Sequence, residues 1–144
     1  MKQIPAVKTV MTPFPHSVSI NASIKEARAF MLEHRIHHLP VTDKSQLVGI
    51  LSDRDIKLFL GPDLEYPSEV ESKVRDVYLD HAYIVDLNER LDRVLLTMAE
   101  RHIGSALVTR NGRLAGVFTS TDACKSYADH LHKQFGPHGG DEAA

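Results

Sequence analysis

A chain of 144 residues, 42% hydrophobic and 25% charged, has the composition of an ordinary globular protein, enough for one compact domain or two half-domains sharing a core. Its 17 basic and 19 acidic side chains leave a net charge of −2, so no strong field draws it to nucleic acid or to an anionic membrane. No apolar run reaches the ~18 residues of a membrane span, the first ten residues lack the apolar centre of a signal peptide, and the single cysteine, Cys124, excludes an internal disulfide; the expected location is cytoplasmic.

In chain order the elements fall into two copies of one pattern. Shifted by 67 residues, Val7–Asp55 aligns with Val74–Asp122 without a gap. Identities include Val7/Val74, Val10/Val77, Asn21/Asn88, Met31/Met98, Ile36/Ile103, Val41/Val108, Gly49/Gly116 and Asp55/Asp122. The first copy opens with a short apolar stretch, Val18–Ile20, followed by a helix in which Ser23 and Glu26 have capping-box spacing and Ile24, Ala27, Met31 and Leu32 form an apolar stripe. A strand over Leu39–Thr42, a turn and a second strand over Leu47–Leu51 run into a helix opened by Ser52. Gly61-Pro62-Asp63 and Tyr66-Pro67-Ser68 then mark a loop. The second copy repeats the order with Ile84–Leu87, a helix carrying Leu91, Val94, Leu95 and Met98, a strand over Ala106–Thr109, an Asn111-Gly112 hairpin turn, a strand over Leu114–Phe118, and a helix opened by Thr119. Each copy reads β-α-β-β-α and is too small to bury a good core alone, so the two should pack together. The expected domains are residues 5–60 and 74–132, with a linker at 61–73 and a flexible tail at 133–144.

One motif in each copy carries chemistry. Gly-x-x-Ser/Thr-x-x-Asp occurs at Gly49/Ser52/Asp55 and again at Gly116/Thr119/Asp122. The hydroxyl falls where the strand becomes a helix, and the aspartate follows one turn later. Hydroxyl, carboxylate and free backbone N–H groups thus converge at a helix N-terminus, which favours anions. One ionised carboxylate accepts both hydroxyls of a ribose. The same residues also suit plain helix capping; duplication in register favours the ligand reading. The copies are unequal, since the first has Arg35, His37, His38 and Arg54 where the second has His102, Gly104, Ser105 and Thr121. His34-x-x-His37-His38 has no Cys pair or Glu-x-x-His beside it, so no metal is assigned. No nucleophile–base–orienter set or P-loop is legible, so no catalytic residue is assigned and no enzyme is expected.

In order and spacing, Val10-Met11-Thr12-Pro13, Ile36-His37-His38-Leu39-Pro40-Val41 and Leu47-Val48-Gly49-Ile50-Leu51-Ser52-Asp53-Arg54-Asp55 resemble the landmarks of a CBS domain. Val74-Arg75-Asp76-Val77 and Leu114-Ala115-Gly116-Val117-Phe118-Thr119-Ser120-Thr121-Asp122 repeat them, so the chain resembles a tandem CBS pair (a Bateman module) of the stand-alone prokaryotic type over roughly residues 5 to 130. The resemblance implies an α+β (α/β) fold of two pseudo-symmetric β-α-β-β-α repeats packed through their sheets. It also implies a homodimer and a regulatory role toward a separate, unidentified protein. The ligand would be AMP, ADP, ATP or S-adenosylmethionine, held in clefts between the repeats, with no cofactor required. By resemblance, Ser52, Asp55, Thr119 and Asp122 would contact ribose, while His37, His38 and Arg54 would meet phosphates, with Thr121 in the place of Arg54. The family's crossed arrangement would bring Thr9 and Thr12 near Asp122, and Val77 and Tyr78 near Asp55. The Asp55 cleft should then hold phosphates better, and the Asp122 cleft should accept a less charged adenosyl group or stay empty. The alternative is a structural dimerisation module with non-functional clefts. Nucleic acid binding, reported for some relatives, lacks a basic stripe here.

Overall fold

The computed structural model describes residues 3–13, 15–61 and 72–136. In chain order these form β1 (Thr12–Pro13), β2 (Val18–Ser19), α1 (Ile24–His34), β3 (His38–Asp43), β4 (Gln46–Ser52) and α2 (Asp53–Leu60). The second series is β5 (Ile84–Asp86), α3 (Leu91–Arg101), β6 (Ser105–Arg110), β7 (Arg113–Thr119) and α4 (Ser120–Phe135). Single 3-10 turns stand at Val7–Thr9 and Val74–Asp76. The class is mixed α+β, with a three-stranded sheet ordered β2-β3-β4 and a four-stranded sheet ordered β1-β7-β6-β5. Of the linker expected at 61–73, residues 62–71 lie outside the described residues, as do residues 137–144 of the tail expected at 133–144. Residues 133–135, expected in that tail, are helical. His132 and Lys133 complement the dipole of the last turn, and the Gly136 N–H closes it on the His132 carbonyl at 2.7 Å.

Local chemistry explains the helix ends. Ser23 caps α1 by accepting the Glu26 N–H at 3.0 Å, and Ile24, Ala27 and Met31 turn into the core. Both α1 and α3 stop on a left-handed residue that is not glycine, Arg35 (φ 55°) and His102 (φ 54°). Each is held there by a wrap-around bond, Ile36 N–H to Met31 C=O at 3.0 Å and Ile103 N–H to Met98 C=O at 3.1 Å.

The compact units are not the two sequence repeats. One unit joins the opening segment through Pro13 to the second repeat from Ile84 onward; the other runs through Tyr83, with Asn111–Leu114 grouped with it. In the first unit the Val7 N–H bonds Glu89 C=O at 2.9 Å, the Lys8 N–H bonds Leu87 C=O at 3.2 Å, and the Leu91 N–H bonds Pro5 C=O at 2.9 Å. In the other unit the residues 67 positions on repeat the set. Val74 N–H meets Ala22 C=O at 2.9 Å, Arg75 N–H meets Ile20 C=O at 3.0 Å, and Ile24 N–H meets Ser72 C=O at 2.9 Å. Val7 and Val74 are fully buried, and Val74 joins Ile24, Leu39, Val41, Leu51 and Ile56 in one core. Each opening segment therefore plugs the core built mainly by the other copy, a placement that burial of one valine and three backbone bonds hold.

Candidate functional site

At the N-terminus of α2, the Ser52 hydroxyl accepts the Asp55 N–H at 3.0 Å and donates to the Asp55 carboxylate at 2.7 Å. At α4 the Thr119 hydroxyl accepts the Asp122 N–H at 3.4 Å and donates to its carboxylate at 3.2 Å. The Thr119 N–H also donates to that carboxylate at 3.0 Å, which completes a capping box. The capping roles are thus realised in both copies. A carboxylate offers about four lone-pair positions, so these bonds orient Asp55 and Asp122 and leave acceptor capacity. Both aspartates are half-buried.

The opening segments arrive beside these motifs in one register. β1 runs antiparallel to β7 with Thr12 opposite Val117 and Pro13 opposite Gly116, and the Thr12 hydroxyl donates to the two Asp122 oxygens at 3.2 and 3.5 Å. In the other unit Leu79 pairs with Ile50 through two bonds, Leu79 N–H to Ile50 C=O at 2.8 Å and Ile50 N–H to Leu79 C=O at 2.9 Å. Thr12 and Leu79 occupy equivalent positions, so among the described residues the Asp122 motif receives a hydroxyl from its segment and the Asp55 motif does not. Thr9, expected beside Asp122, donates its hydroxyl instead to Ala6 C=O at 2.7 Å within its own turn. Val77 and Tyr78 pack on the core of the unit that holds Asp55.

The two motif glycines have a role that the sequence reading missed. A Cβ on Gly49 would collide with the Leu79 carbonyl and lie 2.8 Å from the Tyr78 ring; on Gly116 it would lie 2.5 Å from Met11 Sδ and 2.9 Å from the Thr12 carbonyl. Glycine lets each opening segment cross the sheet at backbone distance. The available signal was that both glycines fall at one offset in the repeat.

The paired histidines separate. His38 begins β3 directly opposite Ser52, which puts both side chains on one sheet face beside Asp55. Burial, and then the neighbouring His37, hold His38 below the ordinary imidazole range, while Asp55 pulls it upward. His37 is exposed and lies 3.7 Å from Asp53, which also pairs with Lys57 at 3.1 Å. It lines a groove of about 660 Å³ along α1 and α2 with Lys25, Arg28, Leu32, Arg35 and Lys57, rather than joining His38 at Asp55. Arg54 and Thr121 are exposed on the first turns of α2 and α4, and Ser105 occupies the position equivalent to His38. Among the described residues no group of three or more His, Cys, Asp or Glu side chains is placed to hold a metal ion, and no helix is long and apolar enough to cross a membrane.

The chain is 30% identical over 126 residues to the L-aspartate semialdehyde sulfurtransferase of Methanocaldococcus jannaschii, covering 86% of this chain and 23% of that protein. It likewise spans 31% of the zinc metalloprotease MJ0392 of the same organism, so it matches a minor part of these curated relatives. Among solved structures, AcuB of Vibrio cholerae superposes with a TM-score of 0.81 at 23% identity, over 92% of this chain and 96% of that one, a likeness of fold. The CBS domain pair of protein MJ0100, crystallised with 5′-methylthioadenosine and S-adenosyl-L-methionine, superposes with a TM-score of 0.79 at 25% identity, over 89% of this chain and 99% of that one. The CBS domain itself matches twice, at residues 7–61 and 74–129. The chain belongs to the CBS domain family, as a tandem pair.

Proposed function

We propose that this chain is a regulatory sensor module, not an enzyme, that binds an adenosine-containing ligand at sites centred on Asp55 and Asp122. The observation that carries the reading is the doubled arrangement of hydroxyl, carboxylate and helix N-terminus, with an opening segment laid beside each copy. A ribose diol has two donors for one carboxylate, and the first-turn N–H groups suit a phosphate. Ser52 and Asp55 serve the first site, where His38 and Arg54 favour phosphates, as in AMP, ADP or ATP. Thr12, Thr119, Thr121 and Asp122 give the second site no cation of its own, which suits a less charged adenosyl group such as that of S-adenosylmethionine. The complexes of the MJ0100 pair support an adenosyl ligand. A ligand that favours one packing of the pair would shift its population and so act on a cytoplasmic partner protein, with a homodimer as the working unit.

Calorimetric titration of the chain with AMP, ADP, ATP and S-adenosylmethionine tests this, with Asp55→Ala and Asp122→Ala in parallel. Saturable binding that one variant loses is the expected result and identifies the working site. No binding by folded protein to any of the four would leave the dimerisation module as the reading to pursue.

A further inference from the structure

His38 adds an imidazole to the Ser52–Asp55 pair of the first site. It faces Ser52 across the β3–β4 ladder, and Ser52 is bonded to Asp55, so imidazole, hydroxyl and carboxylate form one cluster. The charged and titratable groups on the elements beside it are His37 just before its own strand, Asp53, Arg54 and Asp55 on the first turn of α2, and Tyr78 on the segment laid beside β4. Asp53 is engaged with His37 and Lys57, which leaves Asp55 as the carboxylate acting on His38. Burial and the neighbouring imidazole of His37 hold His38 below the ordinary imidazole range and so favour its neutral form in the free protein. A phosphate brought to this N-terminus would add negative charge beside the ring and favour its protonated form. In the second repeat the same positions hold Ser105, Thr119 and Asp122, with no imidazole.

We propose that the Asp55 site takes up a proton on His38 when a phosphate-bearing adenosine ligand binds, so that acidity strengthens this site and leaves the Asp122 site unaffected. The inference rests on the reading that Asp55 receives the ligand. Binding a proton with the ligand ties affinity to pH, with a slope of up to about tenfold per pH unit wherever the free site is neutral and the filled site protonated. Adenosine, which has the ribose and base but no phosphate, takes up no proton.

The test is calorimetry of the whole chain with AMP, ATP and adenosine between about pH 6.5 and 8.5, in buffers of different ionisation enthalpy that report proton uptake directly. The phosphate itself titrates near pH 6, so His38→Gln is the deciding comparison. The expected result is uptake approaching one proton in the unaltered chain and in Asp122→Ala, with nucleotide affinity weakening several-fold per pH unit as pH rises. His38→Gln should still bind, with a flat profile and the residual uptake of the phosphate alone, and a thermal melt near the parent's shows that it is folded. Binding that Asp55→Ala abolishes but that shows equal uptake in the unaltered chain and His38→Gln overturns the inference and spares the site. Absence of nucleotide binding at every pH overturns the site reading, and the inference falls with it.

Discussion

In the Asp122 half, the opening segment lays Thr12 against the helix N-terminus and its hydroxyl reaches the carboxylate; in the Asp55 half, the residue 67 positions later is Leu79, which pairs its backbone with Ile50 in the same register and has no side-chain donor. The contrast reverses at the strand before the hairpin, where the Asp55 half has His38 and the Asp122 half has Ser105. The frame of bonds that seats each opening segment is therefore duplicated in register, and the main differences lie in the side chains that face the two carboxylates. Such a frame separates what folding requires from what a ligand would meet. The valine plug, the crossing glycine and the hydroxyl cap are common to both halves, while the charged and polar neighbours of the aspartates are not.

The shared requirement breaks most severely at the glycines. Gly49→Ala places a methyl against the Leu79 carbonyl and the Tyr78 ring, so the backbone pairing of Ile50 with Leu79 must open. Gly116→Ala meets Met11 Sδ first, and a flexible thioether can swing aside, although the Thr12 carbonyl at 2.9 Å still presses. We expect a loss of about 3 kcal/mol for Gly49→Ala and about half that for Gly116→Ala, within the range of overpacked sites. Urea unfolding midpoints at unchanged slope would measure both. Equal losses would mean that Met11 yields no more readily than a backbone carbonyl.

A smaller effect tests the hydroxyl that only one half has. Thr12→Val keeps the shape of the side chain and removes its bond to Asp122, which should cost about 1 kcal/mol, below the usual value for a bond to a charged group because this one is exposed and long at 3.2 Å. Leu79→Val, at the equivalent position, removes no polar contact and should stay within about 0.5 kcal/mol of the parent, as exposed substitutions do. Matching losses would show that the segment is held by its backbone alone.

How much of this was legible in the sequence follows from what each residue needs. The 67-residue register located the four helices and every strand but β1, because apolar periodicity and the caps Ser23, Ser52 and Thr119 are local signals, whereas the pairing of Thr12–Pro13 with β7 is not. Thr12 at Asp122 was reachable through resemblance, since no local pattern connects positions 110 residues apart. Thr9 has no bond to Asp122 that parallels that of Thr12, because its hydroxyl finds an acceptor in its own turn, the Ala6 carbonyl. The crossing glycines were visible as residues but not as contacts, since a glycine in a strand reads equally as a bulge or a close approach. Arg35 gave no sign of its left-handed cap, and His102, though of a type enriched at positive φ, gave only a weak one; the wrap-around bonds hold both. His37 and His38 read alike in the sequence, and only the fold shows that His37 lies 3.7 Å from Asp53 while His38 faces Ser52.

The hairpins carry the smallest contrast. In the second copy the turn residues are Asn111 (φ 52°) and Gly112 (φ 79°), the pair that suits a turn with both central residues at positive φ. In the first copy the same turn is built from Lys44 (φ 50°) and Ser45 (φ 67°), so two ordinary side chains bear a conformation that costs each of them on the order of 1 kcal/mol. Ser45→Gly relieves that strain but gives the unfolded chain more freedom to lose, and the two terms oppose one another. We expect the relief to win by about 0.5 kcal/mol, seen as a rise in the unfolding midpoint. Gly112→Ala should give a loss of similar size, because a Cβ there meets nothing within 4 Å and only the backbone is affected. If Ser45→Gly instead destabilised the protein, entropy of the unfolded chain would outweigh backbone strain at this turn, and Lys44-Ser45 would be as serviceable a hairpin as Asn111-Gly112.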